Sequence, residues 1–227
     1  MVWPVHSGRV FYLKMDQDID IQFDFVSWDD KPKEIDEAEK PKVTKRRNSE
    51  CLERSQQNEY RRAFSETQLL DITPKEFKEG YSYHFITGGD VDGLSYLKVI
   101  LRQQPLEYCL ISTWVMAAED IYLCQEYLGK GLIKRLDFYL GEVYRGNYPQ
   151  EYALIKQVAA QCGGCLKTFK NHAKILAGYG ERFAFGVEGS ANFNTNPRTE
   201  NACINIGEDI YKFYKEYFDG INGFNKE

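Results

Sequence analysis

Two short groups of polar residues near the C-terminal end of the sequence carry side chains that could act together on a phosphate. His172 and Lys174 are separated by one residue, and Ser190 and Asn192 have the same spacing. Side chains two apart in an extended strand point to the same side, so each pair would share one face. Two adjacent strands would bring the pairs together. The imidazole can attack phosphorus, while the ammonium, hydroxyl and amide can stabilise the charge that develops on a phosphodiester.

The order of these residues resembles the signature of the phospholipase D superfamily, which is H-x-K, then Asp, then G-S-x-N or G-S-x-x-N. The matching segments are His172-Ala173-Lys174 and Gly189-Ser190-Ala191-Asn192. The sequence is most similar to the small bacterial endonucleases of that superfamily, which carry one copy of the motif in each chain. The similarity covers roughly residues 80–222. It includes the order helix, strand, helix and strand in residues 97–141 and the acidic segment at residues 199–202.

The resemblance implies a metal-independent, two-step hydrolysis that needs two histidines. One histidine attacks phosphorus to give a phosphohistidine, a second protonates the leaving oxygen, and water then releases the intermediate. His172 would be the nucleophile or the acid. Because no other histidine of the chain lies in an H-x-K pattern, the second would come from another subunit. This predicts a homodimer with one shared site.

The resemblance also assigns roles to the residues around His172. Lys174 and Asn192 would hold the phosphate oxygens, and the Ser190 hydroxyl would assist them. The Glu200 carboxylate would orient an imidazole through its second nitrogen. Gly189 would let the backbone approach closely.

One position departs from the signature. The family's Asp would fall five residues after Lys174, where this chain has Tyr179. Glu181 could take over the role of the missing carboxylate, or that role could be structural and lost. A degenerate, non-catalytic nucleic-acid-binding or assembly module is therefore an alternative to the enzyme. Within the enzyme class, a lipid phosphodiesterase is the alternative to a nuclease, although the chain lacks an obvious amphipathic segment with a basic polar face.

Length and composition limit the other possibilities. A chain of 227 residues can hold one full domain and an appendage, and its 16 Tyr and 14 Phe argue against a largely disordered protein. No apolar run has the length of a membrane span, and residues 1–6 lack the features of a signal peptide, so we expect a cytoplasmic location. No G-x-x-x-x-G-K loop supports an ATP-driven function. We predict neither a cofactor nor a metal.

Six dispersed cysteines predict reduced thiols and no disulfide framework. Cys162 and Cys165 form a C-x-x-C pattern, but a structural zinc site needs a second ligand pair, and none is evident. We interpret Cys162 as the end of a helix from about Pro149, Gly163 as its left-handed cap, and Cys165 as the start of the next strand. A metal or redox site is the alternative.

The charge distribution bears on nucleic acid as the predicted partner. A net charge of −5 does not favour long contacts with duplex nucleic acid, whose binding depends on phosphate neutralisation. Basic residues nevertheless concentrate in residues 40–62 and could follow a phosphate backbone. Acidic residues are interspersed, so a solvated helix face or loop is the alternative. The candidate substrate-binding residues of this stretch are Arg46, Arg47, Arg61 and Arg62.

The order of predicted elements gives an α/β fold in two parts. Residues 1–78 are predicted to be a small extension, with strands at 10–13 and 19–25 and a charged linker or helix at 29–58. Residues 79–227 are predicted to be a phospholipase D-like catalytic domain with a mixed, mostly parallel sheet and helices on both faces. Its predicted strands include 81–86, 108–114 and 132–140, and its predicted helices include 92–103, 118–130 and 209–218.

Overall fold

The computed structural model describes residues 51–194 and 198–221. Eight strands and six helices lie in these residues. The strands are β1 (Gln57–Ser65), β2 (Tyr81–Asp90), β3 (Tyr108–Thr113), β4 (Leu136–Gly141), β5 (Leu166–Phe169), β6 (Ile175–Tyr179), β7 (Ala184–Gly189) and β8 (Glu200–Ile206). The helices are α1 (Glu66–Ile72), α2 (Gly93–Leu101), α3 (Ala118–Gly129), α4 (Tyr144–Asn147), α5 (Pro149–Gln161) and α6 (Glu208–Asp219). The strands predicted at 10–13 and 19–25 lie outside the described residues, as do Arg46 and Arg47.

The eight strands form one mixed sheet in the order β1-β2-β8-β7-β6-β3-β4-β5. The pairs β1–β2, β3–β4 and β4–β5 are parallel. The pairs β2–β8, β8–β7, β7–β6 and β6–β3 are antiparallel. The predicted mixed sheet is therefore confirmed, with a larger antiparallel share than expected among the described strands. Short connections such as the turn between β6 and β7 favour antiparallel neighbours, whereas β3 and β4 are joined through α3.

Helices cover both faces of this sheet, as predicted for an α/β fold. Side chains of β3 alternate between two apolar clusters, as the pleat of a strand requires. Cys109 and Ile111 join the larger cluster, which also holds buried residues of α2, α3 and α5. Tyr108 and Leu110 join the smaller cluster on the other face, where Phe218 of α6 is buried. None of the described helices is long and apolar enough to cross a membrane.

The start of α2 and the end of α5 follow the predicted capping patterns. The Asp92 carboxylate accepts hydrogen bonds from the amides of Leu94 at 2.9 Å and Ser95 at 3.1 Å, which satisfies free amides of the first turn. Helix α5 ends at Cys162, and Gly163 has a φ of 65°. Glycine is favoured there because a side chain would strain this left-handed backbone. The interpretation of Cys162 and Gly163 as a helix end is confirmed.

Strand β1 belongs to the sheet, and helix α1 is hydrogen-bonded to it through Arg61. The sequence analysis places these residues, 57–72, in the N-terminal extension. Tyr60 lies opposite His84 in the parallel pairing of β1 with β2. The strand is rich in charged and polar residues, and of its side chains only that of Ala63 is fully buried. It therefore lacks the apolar alternation that reveals a strand in a sequence. The proposed division at residue 78 otherwise stays a prediction.

Candidate functional site

The two halves of the candidate motif lie at one end of neighbouring antiparallel strands. His172 and Lys174 directly precede β6, and Ser190 directly follows β7. The amide of Gly189 donates to the carbonyl oxygen of Lys174 at 3.2 Å, which joins the two segments. The two segments are therefore neighbours, and the residues of the motif lie just beyond the strand ends and not within strands.

His172 and Lys174 contact each other directly. The Lys174 Nζ donates to the His172 carbonyl oxygen at 2.8 Å and lies 2.9 Å from His172 Nδ1. The imidazole is exposed, and its ring centroid lies 5.6 Å from that of Trp114, which follows β3. Sequence reasoning missed Trp114, because only the position of β3 beside β6 brings the indole to this place.

A buried asparagine anchors the segment that carries these two residues. Asn171 Nδ2 donates to Ser112 Oγ at 3.0 Å and to the Tyr139 carbonyl oxygen at 2.8 Å. Its Oδ1 accepts from the amide of Ala173 at 3.0 Å. Asn171 thus links the loop to β3 and β4, so the orientation of His172 depends on the sheet and not only on its own strand.

Ser190 and Glu200 form the other side of the site. The Ser190 hydroxyl donates to Glu200 Oε2, and Ser190 Oγ accepts from the amide of Asn201 at 3.0 Å. The Ser190 amide in turn donates to the Asn201 carbonyl oxygen at 3.0 Å. Within one chain the Glu200 carboxylate thus accepts a hydrogen bond from Ser190, and Glu200 does not contact His172 in the described residues. The hydroxyl proton of Ser190 is therefore donated to this carboxylate.

Asn192 is held between two elements. Its carbonyl oxygen accepts from the amide of Gly93, the first residue of α2, at 3.1 Å. Its Oδ1 lies 3.4 Å from Thr113 Oγ1, whose proton is donated to the Val115 carbonyl oxygen at 2.8 Å. The NH₂ group of the Asn192 side chain is the part that can donate to a bound anion. The next residue, Phe193, packs its ring against Gly93 so closely that a Cβ at Gly93 would lie 2.5 Å from it.

The environment of Lys174 opposes its charge. Partial burial lowers the pKa of Lys174, and the carboxylate of Glu200 counteracts part of this effect. Behind Lys174 lies a cavity of about 20 Å³ whose lining includes Tyr96 and Asn201. Its size suits about one water molecule.

Tyr96 is a neutral group at the back of this cavity. Its side chain is 3% exposed, and its hydroxyl has no hydrogen bond of normal geometry to another described residue. Burial raises the pKa of Tyr96 to about 12. The neighbouring Thr87 directs its own hydroxyl to the Glu200 carbonyl oxygen at 3.3 Å. Tyr96 can therefore donate a hydrogen bond at neutral pH but cannot act as a base.

Tyr179, where the resemblance would place an Asp, lies at the far end of β6. It is five positions after Lys174, or about 17 Å along the strand. Its ring packs against Tyr211, with centroids 5.2 Å apart, and Glu181 is exposed in the turn that follows. Neither side chain contacts His172 in the described residues.

Asp137 on β4 supplies a buried carboxylate at this far end. The residue is 1% exposed and accepts from the Tyr108 hydroxyl at 2.7 Å and from the Cys165 amide at 2.8 Å. Tyr108 also packs beside Tyr179, with ring centroids 6.3 Å apart. Asp137 therefore links β4 to β3 and to the residue before β5.

The two candidate arginines within the described residues point to opposite faces of β1. The Arg61 guanidinium donates to Glu59 and to the carbonyl oxygen of Ile72, so it holds α1 against β1. Arg62 is exposed on the other face. Neither contacts His172, Lys174 or their partners in the described structure.

Comparisons with known proteins show only distant structural similarity. No protein-family model matches the chain, and no curated protein matches it. Similar solved structures include polyphosphate kinase from Porphyromonas gingivalis, with 14% identity and a TM-score of 0.45 over 64% of this chain and 27% of that one. Phosphatidylserine synthase from Haemophilus influenzae Rd KW20 has 11% identity and a TM-score of 0.42, over 61% and 37% of the two chains.

A third solved structure is that of an archaeal chromatin protein described as showing a novel mode of DNA binding. It has 13% identity and a TM-score of 0.40, over 67% of this chain and 57% of that one. The chain thus spans between about a quarter and somewhat over half of the length of these three proteins. The likenesses concern the fold and not the substrate.

Proposed function

We propose that this chain is a phosphodiesterase of the phospholipase D superfamily that cleaves nucleic acid without a metal, through a phosphohistidine, at a site shared by two subunits. The observation that carries the proposal is that the segment with His172 and Lys174 and the segment with Ser190 and Asn192 lie side by side at one end of the paired strands β6 and β7. Lys174 and Ser190 are 16 residues apart in the sequence. The adjacency of the two segments supports the motif that the sequence pattern indicates.

Lys174 and Asn192 would bind the phosphate oxygens. The ammonium of Lys174 lies within 3 Å of the imidazole, as its 2.9 Å separation from Nδ1 requires. A phosphate bound by that ammonium would therefore be in reach of a ring nitrogen of His172. The NH₂ group of Asn192 would donate to a second oxygen. Both interactions strengthen as negative charge develops on those oxygens.

The hydrogen bond that the Ser190 hydroxyl donates would depend on the orientation of Glu200. In the described chain its proton goes to the Glu200 carboxylate. If Glu200 turned to an imidazole, as the family resemblance implies, the Ser190 hydroxyl would be released to donate to the phosphate. One carboxylate would thereby couple the orientation of a histidine to the hydrogen bonding of the substrate.

A second subunit would supply the acid. His84, the other histidine in the described residues, lies on β2, where its Nε2 is 3.1 Å from Asn58 Oδ1 and its ring stacks on Tyr60. It does not belong to the site around His172. A two-fold axis next to His172 would place the partner's copy opposite it, so that one imidazole attacks while the other protonates the leaving oxygen.

A chromogenic phosphodiester tests the proposal. Bis(4-nitrophenyl) phosphate should be hydrolysed by the wild-type chain in excess chelator, because Lys174 supplies the charge neutralisation that a metal would otherwise provide. His172→Ala should abolish turnover. Lys130→Ala, which removes an exposed lysine paired with Glu126 on α3, is the control and should behave as wild type. Turnover that depends entirely on added Mg²⁺ would refute the mechanism, and an inactive wild type would favour the non-catalytic module.

The substrate class needs a separate assay. The same preparation should digest DNA or RNA and leave phosphatidylcholine intact. Digestion of phosphatidylcholine alone would show that the protein is a lipid phosphodiesterase and not a nuclease. The cytoplasmic location expected from the sequence accompanies the proposal as a prediction.

A further inference from the structure

One face of edge strand β1 carries large exposed side chains. Tyr60, Arg62 and Phe64 alternate along the strand and therefore point to the same side, about 7 Å apart. We call these three residues the β1 strip. Tyr60 is 77% exposed and Phe64 67% exposed. The face between them is not apolar throughout, because an arginine separates the two rings.

The next strand extends this surface. His84 lies opposite Tyr60, and the two rings are stacked with centroids 4.8 Å apart and planes 15° from parallel. Ile86, also exposed, lies opposite Arg62. The stack holds the Tyr60 ring upright on the sheet with one side of it open.

The same face leads to the candidate site. His84 is paired with Cys203 of β8, which is paired with Glu188 of β7, so the distance from the stack to β7 is about two strand spacings, or 10 Å. An open trough of about 450 Å³ lies along this path. Its lining includes His84, Glu188 and Asn205, and it reaches Asn201 and Ser190 at the site.

We infer that the β1 strip binds the bases of a single-stranded nucleic acid and directs the strand toward the candidate site at the other end of the trough. This inference rests on the proposed function and names its substrate class. Exposed aromatic rings stack on bases of any sequence, and a cation between them can pair with the phosphate that joins two bases. Arg62 is suited to that role, because it takes part in no ion pair among the described residues.

Two other occupants fit the strip less well. The bases of a duplex are stacked on one another and present no free faces to Tyr60 and Phe64. A second copy of this chain would have to bury Arg62 between two rings, whereas the centres of protein interfaces are depleted of charge. A single strand provides both the base faces and the negative charge.

The test measures binding without cleavage. All proteins carry His172→Ala and are titrated in chelator with fluorescein-labelled single-stranded DNA, single-stranded RNA and duplex DNA of equal length. Tyr60→Ala and Phe64→Ala should each weaken single-strand affinity about tenfold, since loss of one stacked base has an effect of this order. Tyr60→Phe should restore it. Tyr122→Ala, which removes a 58% exposed ring on α3, is the matched control.

Two further measurements keep the outcomes distinct. Thermal melting checks that the variants are folded, and sedimentation velocity follows their oligomeric state. A double variant carries both Tyr60→Ala and Phe64→Ala. Unchanged single-strand affinity in this folded variant, or equal affinity of the protein with an intact strip for single strands and duplex, would overturn the inference. So would dissociation of a dimer by the double variant, which would assign the strip to a second copy. If single strands bind but the chain with His172 intact hydrolyses no phosphodiester, the proposed function is refuted and the inference about the strip stands.

Discussion

Lys174 is subject to opposing demands from stability and function. Phosphate binding needs its positive charge, yet partial burial lowers the pKa of Lys174 and so disfavours that charge. Below its pKa in the folded chain the ammonium is present and can bind the phosphate. Above that value it is lost, and this loss begins at a lower pH than for a freely exposed lysine. The unfolded chain holds the proton to higher pH, so this residue makes stability rise with pH within that window.

Lys174→Ala should therefore separate activity from stability. We expect turnover of the chromogenic phosphodiester to fall by at least about 100-fold, because a group that stabilises transition-state charge is removed. The thermal midpoint at pH 7 should change by less than about 3 °C, since a partly exposed side chain contributes little to the fold. Lys130→Ala should leave both quantities unchanged. A Lys174→Ala protein with near wild-type turnover would exclude Lys174 from the site.

The residues of the site differ in how far the sequence could predict them. The candidate residues His172, Lys174, Ser190 and Asn192 stand out because their spacing is local, and the strands next to them, β6 and β7, are neighbours in the sheet. Trp114 could not be found in this way, since its contact with His172 depends on β3 lying beside β6. The positions of such residues are set by strand order, which a single sequence specifies only indirectly.

At the scale of elements, the start of α2 packs directly on the loop that carries Asn192. Gly93 has no side chain, and the ring of Phe193 occupies the space where a Cβ would lie. The Gly93 amide also donates to the Asn192 carbonyl oxygen at 3.1 Å. The N-terminus of one helix thus fixes both the backbone and the neighbour of a candidate phosphate ligand.

Gly93→Ala should disturb the fold and the site together. The new methyl group must displace Phe193, and overpacking of this kind costs about 1–3 kcal/mol of unfolding free energy. Turnover should fall because Asn192 moves with its neighbour. Gly129→Ala is the matched control, since it adds a methyl group at the end of α3 with no atom within 4 Å. Denaturant unfolding and the chromogenic assay should separate the two variants, and equal stability of both would contradict the close packing at Gly93.

Helix α3 contains a carboxyl group whose protonation should control stability. Asp120 is buried, and its Oδ2 has no hydrogen-bond partner among the described residues. Burial, with a further contribution from Asp92, raises the pKa of Asp120 to about 7. Between the ordinary value near 3.8 and 7 the folded chain binds more protons than the unfolded chain. Stability therefore falls as the pH rises through this window.

Asp120→Asn should remove this pH dependence. The amide resembles the protonated acid, so the advantage of the variant over wild type should grow across this window, and the difference in melting temperature should be several degrees larger at pH 8 than at pH 5. Melting curves at the two pH values measure the difference. An equal effect of the substitution at both values would show that Asp120 keeps its charge throughout.

The sequence predicts elements with an apolar pattern better than elements that are largely charged. Helix α2 was evident from an apolar pattern with Asp92 as its cap, and the structure confirms both. Strand β1 was missed because its two faces contact a helix on one side and solvent on the other, with Arg61 and Arg62 on opposite faces. A charged edge strand of this kind resembles a solvated linker in a sequence.

At the scale of the whole molecule, the proposed mechanism would place two copies of His172 and Lys174 around one phosphate. Four cationic or potentially cationic side chains would then gather at a two-fold axis. Their repulsion in the empty site would favour an anion such as phosphate or sulfate. The shared site is therefore the central claim, because a single described chain contributes one histidine to it.

The most direct test of this claim is subunit mixing. Wild-type chain is coexpressed with His172→Ala chain in increasing excess, mixed dimers are confirmed by a tag on one chain, and turnover of bis(4-nitrophenyl) phosphate is measured per wild-type subunit in chelator. If both histidines serve one site, activity should fall to about a tenth at a ninefold excess of the variant, because few wild-type chains then pair with one another. Activity per wild-type subunit that stays constant, or turnover by a strictly monomeric protein, would contradict the shared site.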